Sequence, residues 1–299
     1  MSNPAQELET VRDWIRYAVS RFTAGGLFFG HGMASAYDEA VYLVQHALHL
    51  PLDRLDPFLD ARLTTTERND LMRLVDRRVN ERIPAAYLTH EAWLGEFRFY
   101  VDERVIIPRS YIAELLPDAL DPWLPEPAQV QSALDLCTGS GCLAVLLAHH
   151  YGNADVDAAD VSSDALAVAQ RNVAEHGMQD RINLIRSDLL SNLNDKTYDL
   201  IISNPPYVPA VTMEELPAEY RHEPAMALAG GEDGLDAVRT IVKSAARFMA
   251  PEGLLVVEIG HNRAATEAAF PRLPFTWLST PSGEESVFML RRDDLIGAR

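Results

Sequence analysis

Cysteine is nearly absent: there are two in 299 residues. So few in a chain this long do not make a disulfide framework, so the core has to come from apolar packing, and the expected compartment is the cytoplasm. Long apolar runs are missing too. Leu143 to Ala148 is far shorter than the ~20 residues that cross a bilayer, and no membrane span is expected. The N-terminus carries Glu7 and Glu9 where a signal peptide would be basic and then apolar. Positive charge is scarce as well. Lys and Arg number 26 against 44 Asp and Glu, a net charge of -18. That balance argues against a partner held through a phosphate backbone, so no direct nucleic-acid binding is expected, and it favours a basic or neutral partner. The nine histidines are scattered, none at a metal-ligand spacing from cysteines or acids, so no metal is expected. Cys137 and Cys142 read as small buried residues rather than reactive thiols.

What is present changes character near residue 90. With 47% apolar residues the chain has material for a real core. From about Glu7 to Phe22, apolar residues recur three and four apart at Val11, Trp14, Ile15, Ala18, Val19 and Phe22, which predicts a helix. Ala40 to Leu48 marks a second. Thr64 with Glu67 three residues on forms a capping box ahead of a third, through Leu71, Leu74, Val75 and Val79. Arg77, Arg78 and Arg82 near its end suit the helix dipole, and Arg77-Arg78 reads as a solvated face. Residues 1–90 thus read as a small all-α domain. Trp93 to Ile107, aromatic and β-branched with a break at Gly95, reads as a β-hairpin connector, bounded as 91–108. Pro108 then precedes an apolar helix through Ile112, Leu115 and Leu116. Pro122, Pro125 and Pro127 mark a loop.

From residue 109 to 299 a second domain is expected. Beyond residue 132 strands alternate with helices. Strands are predicted at Ala133–Leu136, Ala154–Asp160, Ile182–Arg186, Tyr198–Ser203 and Gly253–Ile259. Helices fall at Leu143–His150, Ser163–Glu175 and Asp236–Met249. Such alternation gives an α/β fold with a mostly parallel, doubly wound sheet. Two more strands, Phe275–Leu278 and Ser286–Leu290, joined through Pro281 and Gly283, can supply one antiparallel member.

Ligands on such sheets bind at the C-terminal strand ends. The first strand of this region leads into Asp135-Leu136-Cys137-Thr138-Gly139-Ser140-Gly141, a turn whose glycines let a backbone approach a ligand ahead of a helix N-terminus. The next ends at Asp160, where a carboxylate can accept from ribose hydroxyls. The G-x-G-x-x-G spacing of a dinucleotide site is not met, since Ala144 follows Gly139 and Gly141. Nucleotide or adenosyl cofactor binding and a plain tight turn both remain open at this level. Asp188-Leu189 follows the third strand, either facing an adenine amino group or forming a surface turn. Asn204-Pro205-Pro206-Tyr207 follows the fourth. The Asn204 side-chain oxygen and the Pro205 carbonyl are acceptors, the prolines stiffen the turn and supply no N–H, and an aromatic ring closes it. The tetrapeptide is either a clamp for a flat NH2 group or a turn that ends a strand. All four features would converge on one crevice, which is more specific than any of them singly.

In this order the motifs resemble those of class I, Rossmann-like, seven-stranded S-adenosylmethionine-dependent methyltransferases. More narrowly, the chain resembles the protein-glutamine methyltransferases of translation. Tyr87-Leu88-Thr89, Tyr100 to Val105, Pro108-Arg109-Ser110 with Ala113-Glu114-Leu115, Leu136 to Cys142, Glu219 to Pro224 and Pro274 to Leu278 are similar to the branch that methylates large-subunit ribosomal protein L3, rather than to the release-factor branch. The resemblance covers nearly the whole chain. It implies S-adenosyl-L-methionine as cofactor, held by Asp135, Cys137, Thr138, Gly139, Ser140, Gly141, Asp160, Asp188, Leu189 and Asn204. It implies Asn204, Pro205, Pro206 and Tyr207 around the substrate glutamine, with Tyr207 packing on the amide and Asn204, Pro205 and Tyr207 as the catalytic set. Cys137 stands where methyltransferases usually have glycine. Two alternatives remain: the same reaction on release factors, and methylation of the adenine amino group in nucleic acid, which needs the base flipped out. The helical domain is the expected place of protein-substrate recognition. His222 is a candidate border of the substrate, Glu223-Pro224 with Gly230-Gly231 a loop able to close over the site, His31 a loop residue, and Arg109 with Glu114 a structural pair.

Overall fold

The computed structural model describes residues 4–116, 120–124, 126–193, 196–280 and 285–297. Pro125, Pro281 and Gly283, assigned above to turns, lie outside the described residues. The chain divides into two compact units. One is Met1–Ala92 with Pro217–His222, the other Trp93–Leu216 with Glu223–Arg299.

The first unit is helical. Its helix Val11–Ala24 starts later than the spacing predicts, because Thr10 and Asp13 form a capping box that sets the N-terminus there. Val11, Trp14, Ile15, Ala18 and Phe22 are its buried stripe. The helix Ala36–Ala47 packs on it, and Thr65–Asp76 begins at the expected Thr64–Glu67 box. The reading of Arg77-Arg78 as a solvated face is wrong for Arg78, which is 1% exposed. Its Nε donates to Glu39 Oε1 at 2.6 Å, Nη1 to Glu219 Oε1 at 3.3 Å and Nη2 to the Phe28 carbonyl at 3.0 Å. Arg78 follows Leu71 and Val75 on the same stripe, so the periodicity that buried those two buries the guanidinium as well. A buried charge persists only with such partners.

The hairpin is shorter than expected. Strands β1 (Glu91–Leu94) and β2 (Phe97–Tyr100) form a two-stranded sheet and turn at Gly95. Past Tyr100 the backbone leaves the ladder. Asp102 accepts from Arg104 N at 3.1 Å, from Arg104 Nη2 at 2.6 Å and from the Tyr100 hydroxyl at 2.9 Å, a local arrangement that competes with strand pairing. Those bonds to Arg104 hold the Asp102 carboxyl down at about 2, against its burial.

The second unit is built on a seven-stranded sheet. Its strands are β3 (Ser132–Leu136), β4 (Asp155–Asp160), β5 (Ile182–Arg186), β6 (Tyr198–Ser203), β7 (Met249–Glu258), β8 (Thr276–Leu278) and β9 (Val287–Arg291). Their order is β5-β4-β3-β6-β7-β9-β8. Neighbours from β5 through β7 are parallel, and β9 runs antiparallel to both β7 and β8. Alternation along the strands splits the core in two. Ala133, Leu200, Ile202 and Val256 join the layer of the helix Cys142–His150, while Leu134, Ile201, Leu255 and Val257 join that of Asp236–Ser244. The helix expected to reach Met249 ends at Ser244, then a 3-10 turn leads into β7. The helix after Pro108 is the short Ile112–Leu115. Connections run outward from β3 to β5, then return to β6 on the other side of β3. That reversal opens a crevice at the C-terminal ends of β3 and β6. Among the described residues no helix is long and apolar enough to cross a membrane, and no group of three His, Cys, Asp or Glu is placed to hold a metal ion.

Candidate active site

A cavity of about 360 Å3 occupies this crevice. The loop after β3 forms its floor. Cys137 and Gly139 have φ of +62° and +55°, the left-handed region that glycine enters without penalty. Cys137 therefore holds a backbone shape that costs a residue with a Cβ roughly 1–2 kcal/mol. Burial pushes its thiol far up, and pushes Cys142 to about 12, so neither is a thiolate nucleophile. The Gly139 N–H donates to Asp160 Oδ2 at 2.9 Å, and the Ser162 N–H to Oδ1 at 2.9 Å. Asp160 is thus seated from below by two backbone donors while it lines the cavity. Burial raises its carboxyl despite them.

Asp135, Thr138, Ser140 and Gly141 do not line the cavity; they shape the loop from behind. Thr138 Oγ1 donates to Asp135 Oδ2 at 2.6 Å. Asp135 is fully buried, its Oδ1 has no partner among the described residues, and burial pushes its carboxyl up to about 7. A Cβ on Gly141 would stand 3.0 Å from the Ala169 Cβ, so the loop and the helix Ser163–Glu175 approach each other closely there. Fully buried Asn172, on that same helix, donates to the Ser140 and Tyr100 carbonyls at 2.8 and 3.0 Å and accepts from Tyr100 N at 2.7 Å, tying β2 to the glycine loop. Asp188 and Leu189 line the wall after β5, Leu189 also at positive φ, +48°.

The tetrapeptide follows β6. Ser203 Oγ donates to the Leu136 carbonyl at 2.9 Å and so pins the end of β6 to the end of β3. Asn204 and Pro206 line the cavity, and Pro205 is buried beside them. The Asn204 side chain has no hydrogen-bond partner among the described residues. Tyr207 does not line the cavity. Its hydroxyl donates to Glu258 Oε1 at 3.4 Å, its carbonyl accepts from Asn262 Nδ2 at 2.7 Å, and its ring lies against Gly260, where a Cβ would stand 2.6 Å from the ring. Beyond it the chain pairs back on itself. Val208 N donates to the Leu228 carbonyl at 2.8 Å and Gly230 N to the Val208 carbonyl at 2.8 Å. This brings Pro224, Met226, Ala227, Ala229 and Gly230, from the loop expected to be able to close over the site, to the cavity wall.

Several site residues escaped the sequence reading. Arg104, Val105 and Ile106 line the cavity because the chain leaves the hairpin at Tyr100. Arg109 pairs with Glu223, Nη2 to Oε2 at 2.7 Å, and not with Glu114. Glu223 Oε1 also accepts from Ile107 N at 2.9 Å. His222 is not at the cavity; its Nε2 lies 2.9 Å from the Glu81 carbonyl within the helical unit. His31 sits in a loop as expected, but buried, with its ring 4.4 Å from that of Tyr220. Glu258 is 1% exposed, and burial pushes its carboxyl up to about 7. Its one signal in the sequence was a lone acid closing the apolar run Leu254-Leu255-Val256-Val257 at a strand's C-terminal end.

Comparison with known proteins fits this geometry. A profile described as the methyltransferase small domain matches residues 115–218. The ribosomal protein uL3 glutamine methyltransferase of Neisseria meningitidis serogroup A is 59% identical over 98% of this chain and 96% of its own length. That of Bordetella pertussis is 57% identical over 98% of this chain and 99% of its own. Among solved structures, the hMettl16 catalytic domain in complex with a MAT2A 3'UTR hairpin superposes with a TM-score of 0.50 at 14% identity, over 75% of this chain and 80% of that one, a likeness of fold alone. Fold and site define a class I, Rossmann-like methyltransferase, whose chemistry calls for a methyl donor of the S-adenosylmethionine type. At this identity over nearly its full length, the chain belongs to the family of ribosomal protein uL3 glutamine methyltransferases.

Proposed function

We propose that this chain methylates the side-chain amide nitrogen of a glutamine in ribosomal protein uL3, with S-adenosyl-L-methionine as donor. The observation that carries the reading is the position of Asn204. Among the described residues its side-chain amide has no hydrogen-bond partner, and it stands at the wall of a cavity whose other walls are the Gly139 loop, Asp160 and Asp188-Leu189. These residues fit the donor. Gly139 offers backbone with no side chain in the way, Asp160 has both oxygens pre-seated and lone pairs left for ribose hydroxyls, and Asp188-Leu189 borders the place of the adenine. Asp160, Asp188 and Asp236 around the cavity favour a cationic ligand. When bound, the donor supplies a methyl group on a positively charged sulfur, open to attack by a nucleophile.

The protein's own task is to make an amide nitrogen such a nucleophile. Its lone pair is delocalised into the carbonyl and has to be aimed at the methyl from about 3–3.5 Å. Asn204 Oδ1 and the Pro205 carbonyl accept the two N–H hydrogens, which orients the NH2 and stabilises the positive charge that develops on nitrogen. Pro205 and Pro206 hold those acceptors still, having little backbone freedom. Attack by the neutral amide leaves a neutral thioether and an N-methylated amide that is still protonated and cationic at nitrogen; that cation is strongly acidic and loses its extra proton to water, so no general base is assigned. The acidic balance of the chain, -18, suits a basic ribosomal protein as partner. The helical unit is assigned its recognition, and the cytoplasm, where ribosomal proteins are made, is the site of the reaction.

The test is to incubate the enzyme with radiolabelled donor and, separately, uL3, release factor and DNA. Label in the uL3 glutamine alone is expected; label in DNA, or only in release factor, refutes the reading. Asn204→Ala is expected to retain donor binding and lose about 100-fold or more in transfer, on the scale of removing one transition-state hydrogen-bonding group.

A further inference from the structure

Glu258 is the last residue of β7, and the parallel register pairs Ser203 with Val257, which sets Glu258 beside the first residue of the tetrapeptide. Three donors converge on its carboxylate. Ser110 Oγ and Tyr111 N reach Oε2 at 2.6 and 2.9 Å, and the Tyr207 hydroxyl reaches Oε1 at 3.4 Å. One side chain thus links the end of β7, the turn after Pro108-Arg109 and the last residue of the clamp. Burying a carboxylate is costly, and an apolar residue of similar size would serve packing as well or better. Its presence therefore calls for a geometric reason.

Tyr207 supplies that reason. Its carbonyl is held by Asn262, and a Cβ on Gly230 would stand 2.8 Å from its Cα, so its backbone has little room on that side. The hydroxyl end is held by Glu258. Only Pro206 stands between Tyr207 and the Pro205 carbonyl, and only Pro206 and Pro205 between Tyr207 and Asn204; their fixed φ angles pass a displacement along instead of absorbing it. We propose that Glu258 is a positioning residue for methyl transfer: by holding the Tyr207 hydroxyl and the Ser110–Tyr111 turn together, it sets where the Asn204 and Pro205 acceptors meet the substrate amide. The proposal rests on the glutamine-transfer reading above and adds a residue that acts on the reaction without touching substrate or donor.

The experiment uses the full chain as wild type, Glu258→Ala, Glu258→Gln, Tyr207→Phe and the Tyr207→Phe/Glu258→Gln double variant. kcat and KM for uL3, donor Kd by calorimetry and Tm are measured for each. Glu258→Ala is expected to lower kcat about 100-fold, the scale of a 1 Å misplacement, with donor Kd unchanged. Glu258→Gln keeps an acceptor and should recover to within about tenfold of wild type, the scale of one weakened hydrogen bond. The double variant should fall no further than the worse single one, because Tyr207→Phe cuts the same link that Glu258→Gln weakens. Additive losses in the double variant overturn the proposal. So do wild-type kcat in Glu258→Ala or a kcat loss that tracks a weakened donor Kd. Should Glu258→Ala fail to fold, Glu258→Gln and Tyr207→Phe decide the matter by the same kcat readout. The Asn204 side-chain amide resonances, followed by NMR, report on the clamp whatever the substrate. Failure of the wild type to label uL3 refutes the substrate reading. Unshifted Asn204 resonances in Glu258→Ala and in Glu258→Gln refute the positioning role.

Discussion

Gly260→Ala is the sharpest test of whether the clamp has to be held rigid. Gly260 has φ of +54°, where an L-residue costs roughly 1–2 kcal/mol. The added Cβ would stand 2.6, 3.0 and 3.2 Å from Cε2, Cδ2 and Cζ of Tyr207. Carbon atoms pack best at about 3.5–4.0 Å, so the ring has to retreat by roughly 1 Å. Retreat is opposed at three points. Asn262 grips the Tyr207 carbonyl, Gly230 abuts its Cα and Glu258 holds its hydroxyl. Overpacking of this kind costs about 1–3 kcal/mol, which with the backbone strain makes about 2–5 kcal/mol. At about 2–4 °C per kcal/mol, Tm should fall on the order of 10 °C. The kinetic effect is larger in proportion, because a clamp shifted by about 1 Å loses on the order of 100-fold in rate. Gly260 is not among the cavity-lining residues, so donor affinity should be unchanged. The assay is transfer of labelled methyl to uL3 beside calorimetric titration of the donor at a temperature where the variant is folded. Wild-type kcat in a folded Gly260→Ala enzyme would show that the Tyr207 seat does not govern the chemistry.

Asp160→Ala removes the carboxylate seated by Gly139 N and Ser162 N; donor affinity should drop about 100-fold at an unchanged circular dichroism spectrum, two charge-assisted hydrogen bonds being at stake, and equal affinity would contradict the ribose assignment. Arg78→Met leaves Glu39 buried without its cation, while Glu219 keeps Arg82 at 3.3 Å, and should destabilise the helical unit by about 3–5 kcal/mol, with partial recovery in Arg78→Met/Glu39→Gln; an unfolding curve that matches wild type would contradict the network. Burial raises the Asp135 and Glu258 carboxyls to about 7, above their ordinary values of 3.8 and 4.5, so the folded chain binds protons that the unfolded chain has released. Their contribution to stability is therefore whole below about pH 4 and is lost as pH rises through about 7, by at most ~1.4 kcal/mol per pH unit for each group. The slope of Tm against pH between about 4.5 and 7 should flatten in Asp135→Asn and Glu258→Gln, and superimposable slopes would disprove the assignment.

Much of the fold was legible because its signals are local. The Thr64–Glu67 box, the alternation of β-branched strands with spaced helices, and the turn residues after each strand are readable within a dozen positions. The bounds Ser163–Glu175, Ile182–Arg186 and Tyr198–Ser203 agree with expectation for that reason. The sequence also contained the glycine loop, Asp160, Asp188 and Asn204 in chain order, and the parallel sheet returns each to the same strand-end crevice.

Tertiary structure decided what depends on partners distant in sequence. Arg78 is inside because Glu39 and Glu219 come to it from 39 and 141 residues away. Arg109 took Glu223 and not nearby Glu114, since orientation and not sequence distance chooses an ion pair. The strand expected to run to Ile107 stopped at Tyr100 once Asp102 bonded its own neighbours. Tyr207 has its ring against Gly260 and its hydroxyl on Glu258, neighbours from beyond the tetrapeptide. A tetrapeptide determines which acceptors it carries. Where those acceptors point is determined by the residues that seat its last member, and these arrive from the ends of other strands.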